Sequence, residues 1–180
     1  MDIIENARKR LKEDVLEIEN RTDLTQDQKS EKIIKIFSAI CAAVAVQPIP
    51  FADIAILTPI QAYMGTRIAA VRGLKLSEQD SKKMLGDISI TLGLGLVAQQ
   101  IALGAYKVGL PFLAGFTTIP LVFGLTYGIG KVMDAYIKSK LRGVSLSPEQ
   151  LKKIFEEEKK KGKEQGRKNK EAIKTKSKKL

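Results

Sequence analysis

One long stretch of this sequence carries almost no charge. From Ile88 to Gly130, Lys107 is the only charged residue among 43. The stretch divides at residues 106–111 into two segments, 88–105 and 112–130. At ~1.5 Å rise per residue, a helix over either segment would be about 27 to 29 Å long, close to the roughly 30 Å of a bilayer's hydrocarbon core. The stretch therefore predicts a helical hairpin inserted in a membrane.

The same stretch is rich in glycine. Nine of the 14 glycines lie between Gly86 and Gly130, although each costs about 1 kcal/mol relative to alanine inside a water-exposed helix. Close approach of helix backbones compensates for this cost, and GxxxG and related small-residue patterns permit it in lipid. A soluble bundle with buried helices would favour small residues too, and it is the alternative. The residues expected to pack the membrane hairpin are Gly93, Gly95, Ala98, Ala102, Gly124 and Gly128.

A second run of low charge precedes the first. Between residues 36 and 66, Asp53 is the only charged side chain. Three prolines interrupt the run, so an unbroken spanning helix is not expected there. We interpret Asp53 as a helix N-cap after Pro50, with an ion pair to Arg67 or Lys107 as the alternative. The prolines are Pro48, Pro50 and Pro59.

Capping signals and apolar periodicity divide the chain. Thr25, Ser77 and Ser147 each precede a helical pattern and have Gln or Asp three residues later, which is typical of a helix N-terminus. Beyond Glu158 the apolar periodicity stops. We therefore predict an amphipathic N-terminal helix (1–24), an apolar helical hairpin domain (25–146), a capped amphipathic helix (147–158) and a lysine-rich disordered tail (159–180). The predicted fold class is an all-α helical bundle with apolar, glycine-rich, membrane-inserted hairpins and a basic C-terminal tail.

The positive charge is concentrated at the C-terminal end. The net charge of the chain is +11, and residues 131–180 contain 17 basic against 7 acidic residues. A basic segment beside an apolar one favours anionic lipid headgroups or an acidic protein. The residues predicted to bind such a partner are Lys159, Lys160, Lys161, Lys163, Arg167 and Lys168.

Several motifs resemble a known family. They are the run 42–61, with Pro-Ile-Pro-Phe-Ala-Asp followed by Leu-Thr-Pro-Ile-Gln, the pair Leu85-Gly86, Ala98, the segment 127–130 and Leu146-Ser-Pro-Glu-Gln-Leu151. Together they are similar to the domain of unknown function six-nine-seven family, which is YcjF-like and often fused behind a GTPase domain. The resemblance covers about residues 30–165. It implies a helical, membrane-associated module that accompanies a small GTPase, with no catalytic residues to transfer. The family motif residues are Pro48, Pro50, Asp53, Thr58, Pro59 and Gln61.

The residue types argue against catalysis. The chain has no histidine and a single cysteine, Cys41, so imidazole bases, zinc sites containing histidine and internal disulfides are excluded. The nearest approach to a phosphate loop is Gly128-Ile-Gly-Lys131, which is followed by Val132 and lacks the required upstream glycine. We therefore predict a chain without its own GTPase domain that is not an enzyme and takes no cofactor.

Taken together, the sequence predicts a non-enzymatic membrane module that scaffolds, recruits or remodels. We expect it at the inner (cytoplasmic) membrane with both termini in the cytoplasm, bound to anionic lipids and forming a homo-oligomer, with a separately encoded small GTPase as a candidate partner. One alternative is a soluble bundle whose basic tail binds nucleic acid or an acidic partner, although interleaved glutamates disfavour nucleic acid. Another is an oligomeric membrane pore, with Asp53, Gln99 and Gln100 lining water.

Overall fold

A computed structural model describes residues 3–46, 56–93 and 111–177 of the chain. Within these ranges the protein is all-α, as predicted, with seven helices and no strand. The helices are α1 (Ile3–Asn20), α2 (Gln26–Ala45), α3 (Thr58–Val71), α4 (Glu78–Thr91), α5 (Pro111–Leu141), α6 (Pro148–Lys168) and α7 (Lys170–Ser177).

Three of the helices begin at the predicted caps. The Thr25 hydroxyl accepts a hydrogen bond from the Gln28 backbone N–H at 3.2 Å, and the Gln28 side chain accepts one from the Thr25 N–H at 2.9 Å. The same reciprocal capping box starts α4 at Ser77 and α6 at Ser147. Each box satisfies two backbone donors that the first helical turn would otherwise leave unpaired.

Cross-helix contacts show that the chain runs up and down. Ser30 and Ile34 of α2 contact Asp134 and Gly130 of α5 respectively, so the two helices are antiparallel. The α3 side chain of Gln61 reaches α5 at Thr126. Consecutive long helices therefore alternate in direction. The loops 21–25, 72–77 and 142–147 then lie at one end of the bundle, which we call the polar end.

Helix α5 forms the centre of the bundle. Residues 122–130 are all buried, and they contact α2, α3 and α6. Gly130 makes the approach to α2 possible, because a Cβ atom there would lie 2.9 Å from the Ile34 side chain. Apolar side chains from α1 to α7 join α5 in one continuous core. The shielding of this apolar segment thus comes from protein.

Within the described residues, this arrangement does not support the predicted membrane-inserted hairpin. Of residues 118–130, Leu121 is the only one that is exposed, and its exposed fraction is 37%. Helix α5 also continues to Leu141 through Lys131, Asp134 and Lys138 instead of ending near Gly130. Among the helices described, none has both the length and the apolar character that a transmembrane span requires. The sequence could not distinguish burial in protein from burial in lipid, because both favour an uncharged, glycine-rich helix.

The first arm of the predicted hairpin also differs. Helix α4 ends at Thr91, and Gly93 adopts a φ of +86°, which is the left-handed conformation that commonly terminates helices at glycine. A continuous helix over 88–105 is therefore excluded, and Gly93 serves as a helix stop instead of a packing position. Gly95, Ala98, Gln99, Gln100, Ala102 and Lys107 lie outside the described residues.

The C-terminal region corrects the prediction of a disordered tail. Helix α6 runs ten residues beyond the predicted end at 158, and α7 continues to Ser177. The helix persists because Gly162 and Gly166 are buried against α5 and Ile173 is buried in the core. The composition predicted disorder because lysines dominate this region. They outnumber the few glycine and apolar residues that form the buried side of the helix.

Candidate membrane-facing end and basic helix

The end of the bundle opposite the polar end is bordered by uncharged sequence. Helices α2 and α4 end there, and α3 and α5 begin there. The segments of sequence between these helix ends, 46–57 and 92–110, contain Asp53 and Lys107 as their only charged residues. We call this the apolar end. The loops at the polar end contain Arg21, Asp23, Lys75 and Arg142 instead.

A glycine-mediated contact joins α5 to the lysine-rich helix α6. A Cβ atom at Gly124 would lie 2.7 Å from the Lys159 carbonyl oxygen, and one at Gly162 would lie 3.0 Å from the Gly124 Cα. Gly128 lies against the Phe155 ring, and Gly166 lies against the backbone of Pro120. Gly124 and Gly128 thus belong to a close helix contact with α6, in which Gly124 meets Gly162 and Gly128 meets Phe155. The α6 side of this contact includes a second GxxxG in the basic tail, which was not predicted. That pattern, Gly162-Lys-Glu-Gln-Gly166, was the available signal.

This contact fixes the height of α6 in the bundle. Because Gly166 lies at the level of Pro120, the C-terminal turn of α6 is near the apolar end, where α2 finishes. Arg167 and Lys168 belong to that turn and are exposed. The net charge of α6 therefore becomes more positive toward the apolar end.

The predicted basic residues differ in their surroundings. Lys159 pairs with Glu156 at 2.7 Å, and its ammonium lies 4.9 Å from the centre of the Phe155 ring. Lys161 pairs with Glu158 at 2.5 Å. The other four predicted residues make no ion pair within the described part of the chain, which leaves their charges available to an external anion. They are Lys160, Lys163, Arg167 and Lys168.

The family motif residues within the described ranges have structural roles. Pro59 lies in the first turn of α3, where the missing N–H of proline is tolerated, and Thr58 begins that helix. Gln61 is buried and donates from Nε2 to the Thr126 hydroxyl at 3.2 Å. Pro48, Pro50 and Asp53 lie outside the described residues. Arg67, one predicted partner of Asp53, donates from Nε to Glu19 at 2.7 Å instead.

A buried ion network near the polar end was not predicted from the sequence. Asp134 accepts two hydrogen bonds from the Arg72 guanidinium, each at 2.9 Å, and a third from the Ser30 hydroxyl at 2.8 Å. Lys138 lies 3.3 Å from Asp134 and 2.6 Å from Asp27. Hydrogen bonds from Lys138 and then Arg72 lower the pKa of Asp27 to about 2. The network ties α2 and α5 to the residue that follows α3.

A second polar cluster lies next to this network, where Glu31 of α2 faces α5. Glu31 accepts a hydrogen bond from the Tyr127 hydroxyl at 2.6 Å and one from Lys131 at 3.0 Å. Burial raises the pKa of the Glu31 carboxyl, but hydrogen bonds from Tyr127 and two lysines outweigh it and hold that pKa below its ordinary value. Burial and the Glu31 carboxylate raise the pKa of Tyr127. A charged, fully hydrogen-bonded carboxylate is a packing element, not a general base.

Within the described ranges, no group of three or more potential ligands could hold a metal ion. Cys41 is fully buried, and burial raises the pKa of its thiol to about 12. Because the thiolate is the reactive form of cysteine, this residue is not activated as a nucleophile.

Comparison with known proteins places the chain in a family. A curated relative, Magnetosome membrane protein 22 of Magnetospirillum gryphiswaldense, is 24% identical over 142 residues, which is 77% of this chain and 72% of the relative. No solved structure matches the chain. The family model described as Domain of unknown function (DUF697) matches residues 10–160. This match extends over most of the chain, which therefore belongs to the DUF697 family.

Proposed function

We propose that this chain is a non-catalytic module that attaches to the surface of an anionic membrane through its apolar end. The observation that carries the proposal is the polarity of the bundle, because four helix ends that adjoin uncharged sequence lie together, opposite the loops that contain charge. The name of the relative, a magnetosome membrane protein, supports a membrane location.

The basic residues of α6 supply the second attraction. Arg167 and Lys168 lie near the apolar end, and each basic residue close to an anionic surface contributes about 1 kcal/mol. Apolar contact and electrostatic attraction together are the combination that holds proteins on a membrane surface without a span. We propose the cytoplasmic side of the inner membrane, because the negative surface potential of that leaflet attracts basic segments.

Vesicle flotation tests this proposal. The full chain should float with vesicles containing phosphatidylglycerol, should float less with phosphatidylcholine alone, and should be partly released at high salt because the electrostatic part is screened. Absence of flotation with either vesicle would overturn membrane attachment, and retention of nucleic acid by the same preparation would then favour a soluble nucleic-acid-binding bundle.

A matched pair of variants separates position from total charge. The test variant replaces four basic residues of α6 near the apolar end with alanine, and the control replaces four exposed basic residues near the polar end. Both lower the net charge by four, so only the test variant should lose flotation. Equal loss in both would mean that overall charge, not the apolar end, directs binding. The test set is Lys160, Lys163, Arg167 and Lys168, and the control set is Lys75, Arg142, Lys152 and Lys153.

Two further predictions concern partners. A separately encoded small GTPase is the expected protein partner, and co-purification of the full chain with such a protein would test it. Self-assembly into a homo-oligomer is expected on the membrane, where crosslinking on vesicles would detect it. In the pore version of this assembly, reconstituted protein should release a trapped dye.

A further inference from the structure

A surface groove follows the contact between α5 and α6. Its volume is about 710 Å³, which lies within the ~300–1,000 Å³ typical of small-molecule sites. Leu121 and Gly124 form its α5 side. Leu121 is the one exposed residue among the otherwise buried residues 118–130, so it gives the α5 side of the groove an apolar surface. The α6 side consists of Glu156, Glu157, Lys159, Lys160 and Lys163.

Charge along the groove changes sign toward the apolar end. Glu156 and Glu157 lie at the end nearer the start of α6, and Glu156 is neutralised by Lys159. Lys160 comes one turn later and Lys163 about two turns later, and neither makes an ion pair within the described residues. Their ammonium groups provide up to six hydrogen-bond donors without a carboxylate partner. This part of the groove therefore favours an anion.

The apolar part of the groove lies beyond these lysines. The Cβ of Lys163 is beside Gly124, whereas Leu121 lies one turn closer to the start of α5 and hence to the apolar end. A ligand that meets the lysines with a negative group would lay an apolar portion over Leu121, directed toward the apolar end. A phospholipid at a membrane surface has this polarity, with its phosphate outward and its acyl chains inward.

We infer that the α5–α6 groove binds one anionic phospholipid, with the phosphate between Lys160 and Lys163 and an acyl chain along Leu121. The inference rests on the proposed membrane attachment and deepens it, since it adds a stoichiometric lipid site to a general surface attraction. The occupant is a lipid of the supporting bilayer.

Calorimetric titration with a monomeric lipid tests the site. The probe is dihexanoyl phosphatidylglycerol below its micelle concentration, with dihexanoyl phosphatidylcholine as the uncharged-headgroup comparison. The full chain should bind the first with a stoichiometry near one and should bind the second at least about tenfold more weakly. Both lipids offer a phosphate to the lysines, but only phosphatidylglycerol has a net negative charge.

Two variants address the two parts of the groove. Lys160→Ala with Lys163→Ala removes both ammonium groups but keeps the Cβ beside Gly124, and it should weaken binding about tenfold or more. Leu121→Gln makes the apolar part polar and should also weaken binding. The matched control, Lys152→Ala with Lys153→Ala, removes the same charge from the same helix outside the groove and should bind like the unchanged chain. Circular dichroism checks that each variant is folded.

The outcomes separate this site from the proposed function. Flotation with phosphatidylglycerol vesicles but no titration by the monomeric lipid would overturn the groove alone. Equal weakening by the control variant, or equal affinity for both lipids, would do the same. Absence of both flotation and titration would overturn both proposals, whereas selective titration that the groove variants weaken would support the site.

Discussion

The contact between α5 and α6 gives the sharpest test of the structure, through the substitution Gly124→Ala. The added methyl carbon would lie 2.7 Å from the Lys159 carbonyl oxygen and 2.9 Å from the Lys163 backbone nitrogen. Both are backbone atoms that no rotamer change can move, so the helices must separate. Overpacking of this kind costs about 1–3 kcal/mol. Alanine recovers about 1 kcal/mol of helix propensity relative to glycine.

Gly86 provides the matched control. It lies inside α4, is exposed, and a Cβ atom there would meet nothing within 4 Å. Gly86→Ala should therefore show the propensity gain alone, about 1 kcal/mol of added stability. The difference between the two variants removes the propensity effect and leaves the steric cost. We expect Gly124→Ala to be about 1–3 kcal/mol less stable than Gly86→Ala.

Guanidinium denaturation followed by circular dichroism at 222 nm measures this difference. For a chain of 180 residues, each 1 kcal/mol also corresponds to about 2–4 °C in the thermal midpoint. The slopes of the transitions must agree, so that a change in midpoint reports stability. If Gly124→Ala were as stable as Gly86→Ala, α6 would not pack against α5 in solution, and the account of the basic helix would be refuted.

Three further predictions concern the ion network and the buried cysteine. Asp134→Ala should destabilise the fold by about 3–5 kcal/mol, because it leaves the buried Arg72 guanidinium with only the largely exposed Asp27 carboxylate, 2.6 Å away. Asp27→Asn, at a side chain that is 70% exposed, should cost less than about 1 kcal/mol. Denaturation midpoints measure both effects, and a reversed order would contradict the network. Because the pKa of Asp27 is lowered to about 2, the stability that this carboxylate contributes is complete above about pH 4 and is lost as the pH falls toward 2. The free energy of unfolding, measured from about pH 4 to about pH 2, should therefore fall less steeply for Asp27→Asn than for the unchanged chain. An equal dependence on pH in both proteins would contradict this pKa. Cys41, with a pKa of about 12, should resist iodoacetamide at pH 8 in the native protein and react in denaturant, and labelling of the native protein would show that the core around it opens.

Local signals in the sequence predicted where three of the helices begin. The caps at Thr25, Ser77 and Ser147 start helices because the capping interaction involves only residues three apart, which a sequence displays directly. The apolar periodicity of the N-terminal helix likewise agrees with the burial of Leu11 and Val15.

Tertiary relations were less accessible. The pairing of Asp134 with Arg72 spans 62 positions, and nothing local marks either residue as buried. The glycines of the basic tail were overlooked because lysines surround them, although their spacing repeats that of Gly124 and Gly128. The uncharged stretch was assigned to lipid because composition indicates only that a segment is shielded from water. It does not indicate whether lipid or protein provides the shielding.

The interlocking glycines also constrain how this family can change over time. An added Cβ at Gly124, Gly162 or Gly166 would lie within 2.8 Å of the facing helix, and one at Gly128 would lie 3.1 Å from the Phe155 ring. A larger residue on one helix would therefore require a compensating change on the other. In related chains, positions 124, 128, 162 and 166 should then covary as a set of small residues. The exposed lysines of α6 that lie outside the groove, such as Lys152 and Lys153, are under no such constraint and could be replaced by other polar residues.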